Sequence, residues 1–433
     1  MKWTALAARV SVPICSVALI GLAVLAAYAD HRHVATDAET GLTQQEVCGE
    51  GRTDEVEHDA DFGDPLPGLS ADELTRFGLG REAFEDVEGV ADGLGPVFND
   101  VSCASCHDSP QVGGGSDVLS TRIGTLRDEV FDPLERFGGP TIQTKGIGLV
   151  EGHEFVGEVV PKEATIVSRR RATPLFGFGL VDSVPDSTFF FIARMQQRFS
   201  PETAGRPNLV IDLQTGETAV GRFGWKAQAA TVFDFCADAY KDEMGITVPG
   251  LFSSDDGRNV SEENLPQGDA DALAFNPIAS PNEEDTADIS AFADFIRMLA
   301  PPPRGRITGS VRAGAGIFRR IGCSSCHLPT LRTGPSDVDA LHDTVFHPFS
   351  DFLLHDMGSL GDEIEQGSAR GSEMRTAPLW GLREQTALLH DGRASTIEEA
   401  ILEHDGQGRA ARNRYLDLRK SERKHLLDFL NSL

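Results

Sequence analysis

An apolar run occupies residues 10–27, behind Lys2 and Arg9 and ahead of the small-residue site Ala27-Tyr28-Ala29. That order describes a secretory signal peptide cleaved after Ala29. An uncleaved anchor is the alternative, because the run approaches the shortest helix that spans a bilayer. Residues 30–68 are polar, acidic and dotted with proline, which predicts an extended lead-in. From Ser70 the pattern turns helical: Ser70-Ala71-Asp72-Glu73 is a capping box ahead of Leu74, Phe77 and Leu79. Residues 116–285 are mixed, with β character at 156–160 and 209–213, glycine-rich loops at 146–152, 177–179 and 221–224, and an acidic surface loop over 253–285. Ile289, Phe292, Phe295, Ile296 and Leu299 then recur at helical spacing, and Pro301-Pro302-Pro303 ends that helix.

Those prolines mark a domain boundary, and the second half of the chain repeats the pattern of the first. Gly80-x-x-x-Phe84 stands before one cysteine pair and Gly314-x-x-x-Phe318 before another. Each half ends in an apolar helix, the second opened by Ser421 and carrying Leu426, Leu427, Phe429, Leu430 and Leu433.

Across 433 residues, 39 Lys and Arg face 67 Asp and Glu, a net charge of -28. Such a balance excludes a general nucleic-acid binder, since phosphate recognition needs a basic surface. The acid is concentrated before residue 304, which suits either an acidic face for a basic electron carrier or plain solubility.

Seven cysteines are too few for a disulfide scaffold, and their spacing is informative. Cys103-Ala104-Ser105-Cys106-His107 and Cys323-Ser324-Ser325-Cys326-His327 are both C-x-x-C-H, the attachment signature of c-type haem. Two thiols at this spacing reach the two haem vinyl groups, and the adjacent histidine donates a nitrogen to iron. A thiol oxidoreductase would not require the histidine, and a zinc site would need cysteine or histidine pairs that converge. Cys48 and Cys236 either pair or stay free, and Cys15 lies in the apolar run. Two covalent haems imply electron movement, and the sixth iron position separates an enzyme from a wire. Ile397, Ala400, Ile401 and His404 share one helix face, which suits a haem pocket and equally a buried structural histidine.

These features resemble the di-haem oxidoreductase family, peroxidase-like proteins also called thiol oxidoreductases and related to bacterial di-haem cytochrome c peroxidases. The resemblance runs from about residue 69 to 433. Its carriers are Gly95-Pro96-Val97-Phe98-Asn99, the stretch from Arg170-Arg171-Ala172-Thr173-Pro174 to Leu180, and Gly221-Arg222-Phe223-Gly224-Trp225-Lys226-Ala227-Gln228. Asp242-Glu243-Met244-Gly245, Leu354-His355-Asp356-Met357-Gly358, Arg375-Thr376-Ala377-Pro378-Leu379-Trp380-Gly381 and His390-Asp391-Gly392-Arg393 complete the set. The resemblance implies that His404 is the sixth ligand of the second haem, opposite His327, with His355 and Met357 as alternatives. It makes His390 a propionate or packing contact. The first haem, on His107, is implied as the site of peroxide or oxygen chemistry, with His153 as a distal candidate in what reads as a loop. Trp225 and Tyr240 resemble aromatics lining the oxygen-binding haem of di-haem rubber oxygenases, and Trp225 is also a candidate electron relay; core packing is the alternative. Arg169, Arg170, Arg171, Arg375 and Arg393 are candidates for haem propionates or for a solvated face. Asp242 and Glu243 read as solvated surface. The related peroxidases hold calcium between their domains, for which Asn99 is the candidate here.

The expected fold is mainly α: two cytochrome c-like domains, 69–303 and 304–433, the first with a large mixed α/β insertion. The expected function is a periplasmic di-haem c-type oxidoreductase. Electrons would pass from a small cytochrome or cupredoxin through the second haem to peroxide or oxygen at the first. The alternative is an electron-transfer cytochrome with both irons six-coordinate.

Overall fold

The computed structural model describes residues 60–433 other than 151, 247, 249–250 and 252–285, with the side chains of residues 136 and 153 also outside it. The signal peptide, most of the lead-in with Cys48, and the acidic loop over 253–285 therefore lie outside the described residues, as does the His153 side chain.

Helix α1 (Ala71–Glu85) begins where the capping box predicts: the Ser70 hydroxyl accepts from the Glu73 N–H, and the Glu73 carboxylate accepts from the Ser70 N–H. Its buried face is Phe77, Gly80 and Phe84, whereas Leu74 and Leu79 are exposed. The other helices among the described residues are α2 (Phe178–Asp182), α3 (Asp186–Phe199), α4 (Val232–Met244) and α5 (Ala287–Met298). After the prolines come α6 (Gly309–Arg320), α7 (Ile397–Glu403), α8 (Arg409–Leu416) and α9 (Lys420–Leu430). The last starts one residue earlier than Ser421, capped by Arg419.

The Gly-x-x-x-Phe repeat becomes a repeated helix crossing. Helix α1 packs on α5, and α6 packs on α9. A Cβ on Gly80 would overlap the Ala291 carbonyl, and one on Gly314 would overlap that of His425, so only glycine lets these backbones approach. One turn later Phe84 packs on Phe295 with ring centroids 5.1 Å apart, and Phe318 packs on Phe429 at 5.3 Å.

Strand is more widespread than a mainly α chain predicts, and the described residues are mixed helix and strand. Short antiparallel pairs join β1 (Val97–Phe98) to β5 (Lys145–Gly146) and β6 (Gly148–Val150) to β7 (His153–Phe155). The largest sheet centres on β2 (Leu119–Arg127), which pairs with β3 (Val130–Asp132), β4 (Thr141–Ile142) and β8 (Ile166–Arg171). Residues 156–160, expected to be extended, follow β7 instead of forming a strand. A hairpin joins β9 (Asn208–Ile211) to β10 (Thr218–Gly221), close to the expected 209–213. Strands also run through the second half, where β11 (Leu331–Arg332) pairs with β12 (Val345–Phe346) and β13 (Leu354–Asp356) with β14 (Glu373–Arg375).

One core cluster joins α1, α4 and α5 to residues from beyond the prolines, among them Leu328, Phe346, Phe352 and Trp380. A second gathers α6 and α9 around Phe349 and Tyr415. Among the described residues no helix is long and apolar enough to cross a membrane.

Candidate functional site

The two C-x-x-C-H segments adopt the same local fold. The His107 N–H donates to the Cys103 carbonyl at 3.1 Å, and the His327 N–H donates to that of Cys323 at 3.0 Å. Phe84 stands against the His107 ring at 6.1 Å between centroids, and Phe318 against His327 at 6.4 Å. Each imidazole is tied by Nδ1 to a main-chain carbonyl, His107 to Gly114 at 2.9 Å and His327 to Phe349 at 3.0 Å. A carbonyl only accepts, so Nδ1 carries the hydrogen and the Nε2 lone pair is presented outward, as a metal-bound histidine requires. Burial lowers the pKa of His107, and burial together with the neighbouring His404 pushes His327 down to about 4. Both rings are therefore neutral at pH 7, the form that binds metal.

The five described cysteines are unpaired by disulfides. Burial pushes the Cys103, Cys106 and Cys323 thiols up to about 12, the opposite of a reactive thiolate. Cys236 is buried on α4, its pKa raised by burial and by nearby Cys103.

A cavity of about 290 Å³ lies between His327 and His404. The predicted face of α7 lines it: Ile397, Ala400, Ile401 and, at the helix C-cap, His404. The ring centroids of His327 and His404 are 6.4 Å apart. Two imidazole–metal bonds of about 2 Å plus the half-widths of two rings come to roughly 6 Å, so the spacing fits one metal ion between them. The His404 Nδ1 bonds the Ala400 carbonyl at 2.7 Å, which leaves its Nε2 available, and burial lowers its pKa.

His355 is not placed as a ligand. Its Nε2 lies 2.9 Å from Asp351 Oδ2 and its Nδ1 3.5 Å from Cys326 Sγ, so both nitrogens are committed. Met357 lines the cavity, and its terminal methyl and the His404 ring both lie close to Gly408.

The pleat of β8 splits the arginine triplet. Arg169 is exposed while Arg170 is buried. Arg170 and Lys226 share Asp362, at 2.6 Å and 2.8 Å, in a buried triad that sequence reasoning missed because Asp362 carries no local motif. Arg171 and Arg375 line the cavity instead. Arg375 donates to the carbonyls of Gly224 and Thr376 and forms no ion pair among the described residues. Burial pushes its guanidinium down to about 10. A buried cation without a carboxylate at the cavity wall matches the acid side chains of haem. Arg393 turns away to Asp391 at 2.6 Å and is excluded from this role.

Trp225 and Tyr240 are separated. Trp225 lines the His327–His404 cavity, its indole N–H on the Arg171 carbonyl at 2.9 Å and its ring 6.3 Å from the buried His390. Tyr240 does not line that cavity; it lies on α4 against Phe292, its hydroxyl 3.3 Å from Glu88 Oε1, in the cluster that packs on Cys103. Asp242, expected on the surface, is buried beneath Arg122 and Lys241, each 2.8 Å away. The Asn99 amide oxygen expected to face calcium accepts instead from Thr144, and its nitrogen bonds Glu243 at 2.7 Å. Among the described residues no group of three His, Cys, Asp or Glu is arranged to hold a metal ion.

A family model described as "Di-haem oxidoreductase, putative peroxidase" matches residues 150–433, about two-thirds of the chain. The chain belongs to the di-haem oxidoreductase family. The match contains the second C-x-x-C-H segment, and the first lies ahead of it. Family membership implies two haem groups and an enzyme of the peroxidase or oxidoreductase type. Among solved structures, this di-haem oxidoreductase is similar to hydrazine synthase of Kuenenia stuttgartiensis, at 14% identity over 89% of this chain and 100% of that one, with a TM-score of 0.35. It is also similar to the diheme peroxidase BthA of Burkholderia thailandensis, at 16% identity over 88% and 92% of the two chains and a TM-score of 0.38. A MauG-like protein associated with microbial copper homeostasis is similar at 16% identity over 88% and 95%, with a TM-score of 0.36. No curated protein matches.

Proposed function

We propose that this di-haem oxidoreductase is an exported, periplasmic c-type enzyme with peroxidase-like activity, each haem held by one C-x-x-C-H segment. Cys103, Cys106 and His107 hold the first; Cys323, Cys326, His327 and His404 hold the second. When bound, the haems supply the redox chemistry, passing electrons from a small cytochrome or cupredoxin to peroxide or oxygen.

The protein's own residues set the terms of that chemistry. His327 and His404 would together hold the second haem and leave no room there for an external ligand. His107 occupies one face of the first site. Arg375 and Arg171, in a wall otherwise rich in apolar side chains, would hold the acid groups of the second haem. Trp225, fixed by the Arg171 carbonyl, lines the cavity as the relay candidate.

The observation that carries this reading is the 6.4 Å spacing of His327 and His404, with both Nδ1 atoms bonded to carbonyls. The test is a covalent-haem count with absorption and electron paramagnetic resonance spectra of the ferric protein. Two haems per chain are expected, one low-spin and one that responds to added peroxide. Two low-spin haems, unmoved by peroxide before and after half-reduction, would assign an electron-transfer cytochrome instead.

A further inference from the structure

His404 stands where its own helix no longer holds it. It caps the C-terminus of α7, a helix of seven residues, and its backbone is already extended. A helix that short is held by tertiary contacts and not by its own hydrogen bonds. For His404 those contacts come from the residues that follow. Asp405 Oδ2 accepts from the Ser359 hydroxyl at 2.9 Å and from the Ser359 N–H at 3.3 Å. Its Oδ1 accepts from Nε of Arg409, the first residue of α8, at 2.6 Å. Gln407 adds a second tie: its Oε1 accepts from the Asp356 N–H at 2.9 Å, and its Nε2 donates to the Ala204 carbonyl at 2.9 Å. The two loops meet backbone to backbone. Gly406 and Gly358 have φ of 51° and 55°. A Cβ on Gly406 would overlap the Asp356 carbonyl, and one on Gly358 would come 3.0 Å from Asp405 Oδ2. Residues 405–408 and 356–359 thus form a clasp.

Each side of the clasp carries a group that can bind haem iron. His404 precedes one loop, and Met357 lies within the other, its N–H on the Ser372 carbonyl at 2.9 Å. Both side chains line the cavity. They flank Gly408, where a Cβ would meet the His404 ring and the Met357 terminal methyl at 3.2 Å each. Imidazole and thioether therefore reach one cavity from neighbouring positions, and either is an axial ligand of c-type haem. The place opposite His327 belongs to His404, at 6.4 Å between ring centroids.

We propose that Asp405 is a positioning residue that selects the sixth ligand: by tying Ser359 to Arg409 it keeps His404 opposite His327 and holds Met357 away from that place. This rests on the reading of His404 as a ligand of the second haem. The Asp405 carboxylate joins three elements, the loop after α7, the start of α8 and the turn that carries Met357. Its removal deletes three charge-assisted hydrogen bonds at once and leaves Gln407 as the side-chain tie to Asp356. The His404 main chain is then free to withdraw, and the turn is free to bring the Met357 sulfur to the vacated position.

The test uses the haem-loaded full chain, with electron paramagnetic resonance, near-infrared charge-transfer bands and a redox titration of the second haem. Asp405→Ala is expected to replace the bis-histidine signal with a histidine–methionine one and to raise the midpoint potential, because a thioether ligand favours the reduced iron. The signal of the first haem should not move. Adding Met357→Leu to Asp405→Ala should turn the second haem high-spin. Asp405→Asn keeps an oxygen for Ser359 and is expected to restore the bis-histidine signal. A folded Asp405→Ala protein with the parental signal overturns the proposal, as does a high-spin signal that is the same with and without Met357. Ser359→Ala removes one donor from the clasp and serves where Asp405→Ala fails to fold. It is expected to move the potential in the same direction, and an unmoved potential overturns the proposal. A parent protein without a bis-histidine signal would instead overturn the ligand reading of His404.

Discussion

The His327 and His404 rings face one another at 6.4 Å between centroids, each fixed through Nδ1 to a main-chain carbonyl, Phe349 and Ala400 respectively. A residue at each end of the second half is thus brought to one point, and the identity of the sixth ligand becomes testable. His404→Ala is expected to convert the low-spin signal of the second haem to high-spin while the first is unchanged. Electron paramagnetic resonance of the ferric variant reads this directly; an unchanged low-spin signal would move the ligand elsewhere, to Met357 first.

Asp362 neutralises two buried cations, Arg170 and Lys226. Asp362→Ala leaves both unpaired and is expected to cost about 3–5 kcal/mol in urea unfolding. Burial pushes the Asp362 carboxyl up, but Arg170 and Lys226 more than offset this and hold it below 3.8. A folded-state pKa below the unfolded one contributes stability above about pH 4 that is lost as pH falls through the folded value. Acid titration should therefore unfold the parent with a steeper pH dependence below 4 than the variant. Equal slopes would remove the triad from the acid transition.

The Arg375 guanidinium is buried with no ion pair among the described residues, and Asp351 only partly offsets its burial, so its charge would be compensated best when the haem acid groups are present. Arg375→Met is expected to cost the haem-loaded chain about 2 kcal/mol more than the haem-free chain. Paired denaturant titrations of the two forms measure the difference; an equal cost in both would confine Arg375 to holding Gly224 and Thr376.

Trp225 shares the cavity with His327 and holds the Arg171 carbonyl, whose chain leads toward Thr173 beside His107. Trp225→Phe keeps an aromatic ring and loses the N–H. If Trp225 relays electrons, exchange between the haems should slow by about tenfold or more with both spectra unchanged. Stopped-flow reduction checks this, and an unchanged rate would leave Trp225 as packing.

Gly80 and Gly314 sit at equivalent crossings where a side chain would overlap a facing carbonyl. Either alanine variant is expected to lower stability by about 1–3 kcal/mol, each through its own helix pair. Thermal unfolding followed at both haem bands should show the loss of order first at the haem beside the altered crossing.

Much of this arrangement was legible in the sequence because its signals are local. C-x-x-C-H names its own chemistry within five residues, the Ser70 capping box fixes a helix start, and the face of Ile397, Ala400, Ile401 and His404 comes from a 3.6-residue period. Gly-x-x-x-Phe, seen twice, marked the repeat, and the structure shows what it serves: two like crossings at which a Cβ would overlap a facing carbonyl. Where local pattern underdetermined packing, the reading missed. Leu74 and Leu79 fit a helix but lie outside the face chosen by Gly80, and residues 156–160 have β composition but form no strand, although the Glu158 N–H donates to the Gln143 carbonyl.

The sequence by itself determined the two C-x-x-C-H segments proposed here to hold haem, the helix that ends at His404 and the repeat. Tertiary structure alone decided which distant groups meet. It put Arg170 with Asp362 and Lys226, sent Arg171 and Arg375 to the cavity, parted Trp225 from Tyr240, and set His355 between Asp351 and Cys326. Charge pairing and burial depend on neighbours more than a hundred residues away for several of these groups, and no short-range pattern records such neighbours.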